Sequence, residues 1–355
     1  MSPPRRVIVA GGRGGFGAAA MEHLRAAGVA PLAAGRREGA DLYVDVEDPA
    51  SLRATLRRAD VVLDAAGPFQ LRSAALMEAA CDVGFDVIDL SDCIAHAERA
   101  AALRGRIELA RIRVLPSCST VCAVSAAIVA TSGAAAPRRC TTLLAPALRH
   151  TARPGTLASL LVSLGRPIRV LRDGVLADAR GWGEARSFAL PPPFGALRGR
   201  LFETADSVRL PEAWPTLRTV DLWAHAGVPG LDALLALAAR LRGAGASGAG
   251  RPAGGKLPGL LGALAGAARR LGPREGFLAY EVEDSAGAVR RFAVSGGGDR
   301  GFHTAVIPAV LATDAIAHGA FPHRGLVRAD QQVPPAALFA ALAALGIERR
   351  ALPDA

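Results

Sequence analysis

The chain is 355 residues long, 51% hydrophobic and 21% charged, the balance of a globular protein large enough for two domains. No apolar run reaches the roughly 18 residues of a membrane-spanning helix, and the short start before the first strand pattern is too brief for a secretory signal. The net charge of +10 is almost wholly arginine, for Lys256 is the only lysine. It reflects either a compositional bias of the coding sequence or a surface that attracts anions such as NADP, a coenzyme A ester or an acidic carrier protein. Nucleic acid is not an expected partner, because the arginines are scattered and stacking aromatics are scarce. The five cysteines, at 81, 93, 118, 122 and 140, read as reduced thiols of a cytoplasmic protein.

The first element is a strand over Val7–Ala10, followed by the run Gly-Gly-Arg-Gly-Gly-Phe-Gly at 11–17 and a helix over Ala18–Ala27 that Gly28 ends. Gly12, Gly14 and Gly17 satisfy Gly-x-Gly-x-x-Gly. The first allows a tight turn, the second lets backbone approach a pyrophosphate, and the third packs helix on strand. The helix N-terminus then offers N–H groups and partial positive charge to phosphates. Strand before and helix after make this a dinucleotide site, with Arg13, Gly15 and Phe16 inside it. The second strand, Pro31–Gly35, ends in Arg36 and Arg37, where an NAD site would carry an acid for the ribose hydroxyl; arginine suits a 2′-phosphate instead. NADP(H) is therefore the expected cofactor.

Alternation continues. A third strand spans Asp41–Asp45, with Asp45 counted among the cofactor contacts, and a helix Pro49–Arg58 follows. The fourth strand, Asp60–Ala66, runs into Gly67, Pro68 and Phe69. A helix over Arg72–Val83, a fifth strand over Phe85–Leu90, Ser91 and Asp92, a helix over Ile94–Ala110 and a sixth strand over Ile112–Leu115 complete the pattern. Such alternation predicts an α/β fold with a doubly wound parallel sheet of the Rossmann type, ligands lying beyond the C-terminal strand ends. That places Ala66, Gly67, Pro68, Phe69 and Ser91 toward the nicotinamide.

The glycine run, the segment Asp64–Phe69 and the segment Asp86–Asp92 resemble those of the saccharopine dehydrogenase-like reductases. So do Gly155 with Thr156 and Ser159, the pair Gly272 and Pro273, and Gly297–Asp299 followed by a helix rich in Thr and Ala. The resemblance implies an NADP-binding Rossmann domain, an inserted α+β domain and a C-terminal return. It gives residues 1–120 with 300–355 as the cofactor domain and 121–299 as the substrate and dimerisation domain. It would usually have Pro-Gly where this chain has Val121 and Cys122.

Beyond Leu115 the motifs thin out. Cys118 and Cys122 stand four apart and share a helix face if helical; no further ligands at metal spacing accompany them, so no metal is expected. Short strands over Thr141–Pro146, Ile168–Arg172, Arg218–Ala226, Gly276–Glu283 and Ala288–Val294, with helices over Thr156–Leu164 and Leu231–Arg242, predict a mixed sheet with one open face, which suits a homodimer. Residues 243–256 read as a flexible loop. Leu257–Leu271 is an apolar segment that packs on its own domain or on a partner subunit, or lies on a membrane as a peripheral contact, or caps an acyl pocket.

His150, between a strand and a helix, is the first candidate proton donor, with His303 and Asp92 after it. Arg149, Arg153 and Thr156 are candidate substrate contacts. The expected activity is an NADP(H)-dependent reductase delivering hydride to a C=C or C=N bond. The apolar, lysine-poor second half favours a hydrophobic or carrier-bound substrate of specialised or lipid metabolism, as in the trans-acting enoyl reductases that this sequence also resembles. An amino-acid imine dehydrogenase and a non-catalytic NADP-binding scaffold or sensor are the alternatives.

Overall fold

The computed structural model describes residues 4–152, 157–158, 161–228, 231–245 and 257–353. They divide into two compact units, one of residues 1–127, 208–213 and 303–341, the other of 128–207, 214–302 and 342–355.

The first unit alternates strands and helices: β1 (Val7–Ala10), α1 (Gly15–Ala26), β2 (Leu32–Gly35), β3 (Leu42–Tyr43), α2 (Pro49–Thr55), β4 (Val61–Asp64), α3 (Ala75–Val83), β5 (Asp86–Asp89), α4 (Ile94–Ala102), α5 (Arg104–Ala110) and β6 (Arg113–Leu115). Helix α6 (Ala123–Ala130) follows, and later segments add β15 (Gly325–Leu326) and helix α11 (Ile307–Ala317). The seven strands lie in the order β15-β6-β5-β4-β1-β2-β3, every pair parallel. This is the expected doubly wound sheet. Strands β1, β4, β5 and β6 are buried along their whole lengths, as strands covered on both faces must be. Ile8, Leu52, Val62, Leu76, Phe85 and Val87 anchor the core on one of those faces. Helix starts follow local chemistry: Asp48 caps α2 by accepting from the Ala50 N–H, with Pro49 at the first helical position. The helix expected over 94–110 is two helices, divided at Leu103, whose N–H turns back to the Ala100 carbonyl.

The second unit is a nine-stranded mixed sheet, comprising β7 (Pro137–Ala145), β8 (Pro167–Arg172), β9 (Val175–Arg180), β10 (Ala185–Ala189), β11 (Ala196–Phe202), β12 (Thr219–Ala224), β13 (Gly276–Asp284), β14 (Val289–Gly296) and β16 (Ile347–Leu352). Among the described residues of this sheet only β12 and β7 pair in parallel. Leu143, Phe188, Leu201 and Trp223 pack together on one face. Its helices are the short α7 (Leu148–Thr151), α8 (Asp206–Arg209) at the unit boundary, α9 (Leu231–Gly245) and α10 (Leu257–Leu271), and α12 (Pro335–Ala344) precedes β16. Strands β9, β10, β11 and β16 are additions to the sequence expectation. The last pairs with β14, and residues 342–355 cluster with the second unit. Helix α9 also runs through Gly245, into the stretch expected to be a loop; the remainder, 246–256, lies outside the described residues. Among the described residues no helix is long and apolar enough to cross a membrane.

Asp86 ties the first sheet together. Its carboxylate, 3% exposed, accepts from the Arg113 N–H at 2.6 Å and from the guanidinium groups of Arg5 at 2.7 Å and Arg113 at 3.1 Å, while Arg113 Nε donates to the His323 carbonyl at 3.0 Å. Asp86→Ala strands the buried Arg113 charge and should lower stability by about 3–5 kcal/mol. Thermal denaturation of the variant checks this, and an unchanged Tm would contradict it.

Candidate functional site

The glycine run leaves no room for side chains. Gly11 has φ +72°, and a Cβ there would stand 2.9 Å from the Ala65 carbonyl oxygen; on Gly12 it would meet the Ala33 side chain at 2.9 Å. On Gly17 it would lie 2.2 Å from the Gly11 carbonyl oxygen, far inside contact distance. The chain can therefore leave β1, cross beside the end of β4 and enter α1 within a few residues only because these positions are glycine. Gly14 caps α1 without a side chain, and no acid lies in its first turn. The helix N-terminus accordingly presents backbone N–H groups and positive dipole beyond the C-terminal end of β1. This cradle fits a dinucleotide pyrophosphate.

Three arginines surround the exit of β2. Arg36 and Arg37 are exposed, and the guanidinium of Arg13 reaches 3.1 Å from where a Cβ on Gly39 would stand. Arg36 makes only a loose contact, 3.7 Å, with Asp45. Asp45 otherwise shapes its own turn, accepting from the Glu47 N–H. The nearby acid Asp41 is consumed by the fold, its carboxylate accepting from the Ala33 N–H at 2.7 Å.

The end of β4 is held by a buried ion cluster. Arg72, 7% exposed, lies 3.1 Å from the Asp64 carboxylate, donates to the Ala66 carbonyl at 2.7 Å and binds Glu47. Burial works against the charge of Glu47, but hydrogen bonds from Ser73 and Arg72 prevail and hold its carboxyl below the usual range. Arg72 thus fixes the backbone that presents Gly67, Pro68 and Phe69, and its guanidinium lies 5.7 Å from the Phe69 ring centre.

Asp89, at the end of β5, is fully buried. It accepts from the Ser91 N–H at 2.9 Å and the Ser117 N–H at 2.8 Å, and His96 Nε2 lies 3.3 Å from its other oxygen. Burial disfavours its charge, yet His96 and these hydrogen bonds outweigh burial and keep the carboxyl below its ordinary range. The His96 ring meets Phe69 edge-on at 5.1 Å, joining the ends of β4 and β5. Ser91 spends its hydroxyl on Ser117, at 2.8 Å. Asp92, half-buried, accepts from Gln70 at 3.0 Å.

Of the residues expected at the site, Gly12, Arg13, Gly14, Gly15, Phe16, Gly17, Arg36, Arg37, Asp45, Ala66, Gly67, Pro68, Phe69, Ser91 and Asp92 all lie in the first unit, Gly15, Phe16 and Gly17 in the first turn of α1 and the others in the connections that follow its strands. His303 is there too, but its Nδ1 lies 2.9 Å from Nε2 of His23 on α1. Burial and the charge of His303 hold His23 below the ordinary imidazole range. His150 is exposed on α7 in the second unit, and Arg149 beside it donates to the Gly272 carbonyl at 2.6 Å. Arg153 and Thr156 lie outside the described residues. Cys118 and Cys122 do not share a helix face: they bridge across a tight loop in which Cys122 has φ +63°, and α6 begins only at Ala123. The residue standing where the resemblance would have glycine thus takes the left-handed backbone that favours glycine. No cluster of metal-ligating residues occurs among the described residues. Arg72, Glu47 and His96 were missed, because no local motif marks a pairing of Arg72 with Glu47 across 25 positions or of His96 with the end of β5.

No protein-family model matches the chain, and no curated protein matches its sequence. Solved structures do match. Saccharopine dehydrogenase (L-Glu forming) from Saccharomyces cerevisiae is 15% identical, with 98% of this chain and 100% of that one covered and a TM-score of 0.61. The fold is that of saccharopine dehydrogenase. More distant likenesses include myo-inositol 2-dehydrogenase from Lactobacillus plantarum (10% identity, 99% and 100% coverage, TM-score 0.44) and a meso-DAPDH mutant from Clostridium tetani (12%, 94% and 95%, TM-score 0.43).

Because the folded Asp89 carboxyl titrates below its unfolded value near pH 3.9, it stabilises the protein above about pH 4, and that contribution is lost as pH falls through the folded value. Asp89→Asn should therefore lower Tm at neutral pH, the deficit shrinking as pH falls below about 4. Tm measured from pH 3 to 7 checks this; a pH-independent deficit would contradict it.

Proposed function

We propose that the protein is an NADP(H)-dependent oxidoreductase. One observation carries this reading: the glycine cradle at the start of α1, flanked by Arg13, Arg36 and Arg37, with the adjacent Asp41 carboxylate engaged by the Ala33 N–H. The α1 N-terminus would receive the pyrophosphate, and the arginines would take the 2′-phosphate. The segment Ala66–Phe69, braced by Arg72, would line the nicotinamide side, as expected at the C-terminal strand ends of such a sheet. When bound, the cofactor supplies hydride to a C=C or C=N bond. The chain's own part is to orient, to exclude water and to hold a proton. Asp92, tethered by Gln70, is the ionisable candidate that follows β5, while His303 is engaged by His23. The lysine-poor, apolar second half supports a hydrophobic or carrier-bound substrate.

Titration by cofactor fluorescence should show NADPH binding at least roughly tenfold more tightly than NADH, the factor that one charge-assisted hydrogen bond supplies. Replacing both Arg36 and Arg37 by Ser should remove the preference, and Gly17→Ala should weaken both cofactors. Equal binding of the two cofactors, or none, would overturn the NADP assignment.

A further inference from the structure

The second unit has an apolar cleft of its own. Leu144 on β7 and Ala224 on β12, paired in parallel register, form part of its floor. Leu157, Leu161, Leu235 and Leu264 contribute helical walls. The space between is open to solvent on one side, and counted with the solvent at its mouth it is about 540 Å³. The packing around it is broken into small groups, Leu148 with Ala152 and Ala268, and Leu157 with Ala265, separate from the core on the opposite sheet face. An apolar hollow that its own side chains do not fill is a place for a ligand chain.

Polarity enters at one end. His225 is the one ionisable residue among the described lining residues. Its Nδ1 lies 2.9 Å from the Arg198 carbonyl oxygen and 3.3 Å from the Asp232 carboxylate, which also accepts from the Ala226 N–H at 3.2 Å. The hydrogen bond with Asp232 outweighs burial and keeps His225 above the usual imidazole range. Arg200 on β11 stands directly across from Ala224 in antiparallel register and so shares the cleft face of the sheet. Its Nε is buried and has no hydrogen-bond partner among the described residues. Burial and the nearby charges of Arg198 and Arg240 depress its pKa, and Asp232 is the one acid close enough to oppose them. Four basic side chains against one carboxylate leave this end of an apolar cleft electropositive.

We propose that this cleft binds a single-chain fatty acyl ligand with an oxyanion head, the chain lying against the leucines and the head on His225 and Arg200. The leucine walls withdraw methylenes from water, and the head supplies the acceptor that the buried Arg200 Nε lacks. A neutral oxygen could accept from that group but would not balance its charge; a cationic head would meet the arginines. The assignment names a substrate class for the reductase proposed above. It rests on that reading for what is done to the ligand, while binding itself can be measured without nucleotide.

The test uses the full chain, free of nucleotide, titrated with the fluorescent fatty acid cis-parinaric acid and competed with dodecanoate, dodecyl phosphate and dodecanol. Dodecanoate or dodecyl phosphate should displace the probe at concentrations at least roughly tenfold lower than dodecanol, and the tighter of the two identifies the head as carboxylate or phosphate. Leu235→Trp, which fills the cleft, should abolish probe binding. Arg200→Gln should bring the anionic competitors down to the level of dodecanol. Both variants should unfold cooperatively with a Tm near that of the unaltered chain, which shows that the second unit is folded. An unbound probe, dodecanol equal to both anions, or unchanged binding in Leu235→Trp would overturn the assignment. If the probe fails while NADPH binds, the acyl ligand alone falls; if NADPH fails while the probe binds, the cofactor reading falls.

Discussion

Helix α1 begins so close to the turn before it that a single β-carbon on Gly17 would stand 2.2 Å from the Gly11 carbonyl oxygen. This steric limit governs the first unit. It lets the backbone reverse immediately after β1, aims the α1 N-terminus past the strand ends, and brings Gly11 beside the exit of β4, where Ala65 and Ala66 begin the next loop. The buried polar clusters extend the same edge outward. Arg72 with Asp64 and Glu47 fixes the loop after β4, and Asp89 with His96 fixes the one after β5. The Arg72, Asp64 and Asp89 charges of this edge are paired inside the protein, and the α1 N-terminus carries positive potential to its outer side.

The arginine-rich composition serves several uses. Arg5, Arg6, Arg72 and Arg113 are structural, each paired with a largely buried carboxylate of the first sheet. Arg53, Arg106 and Arg350 pair with acids on the surface, where such bridges contribute little. Arg36 and Arg37 after β2, and Arg198 and Arg240 in the second unit, are exposed beside the proposed anion sites.

Much of the first unit was legible because its signals are local. Glycines at 12, 14 and 17, apolar runs of strand length and alternating helices are each set by neighbours within a few residues, and together they dictate a parallel sheet. The second unit resisted because its determinants are distant in sequence. Strand β16 is recognisable only once β14 offers it an edge, and β9, β10 and β11 carry half-exposed, arginine-bearing patterns that imitate loops. His225 lacked any motif; its role emerges from Asp232, seven positions on, and from Arg200 on the neighbouring strand. Cys118 and Cys122 had helical spacing, but the left-handed backbone at Cys122 closes a loop instead.

The central claim is that the loops at the end of this sheet hold a phosphorylated dinucleotide. Hydrogen–deuterium exchange of the full chain with and without NADPH tests it most directly. Protection should concentrate in residues 11–18, 35–38 and 65–70, and NADH at the same concentration should leave 35–38 unchanged. No protection in 11–18, or identical patterns with the two nucleotides, would contradict it.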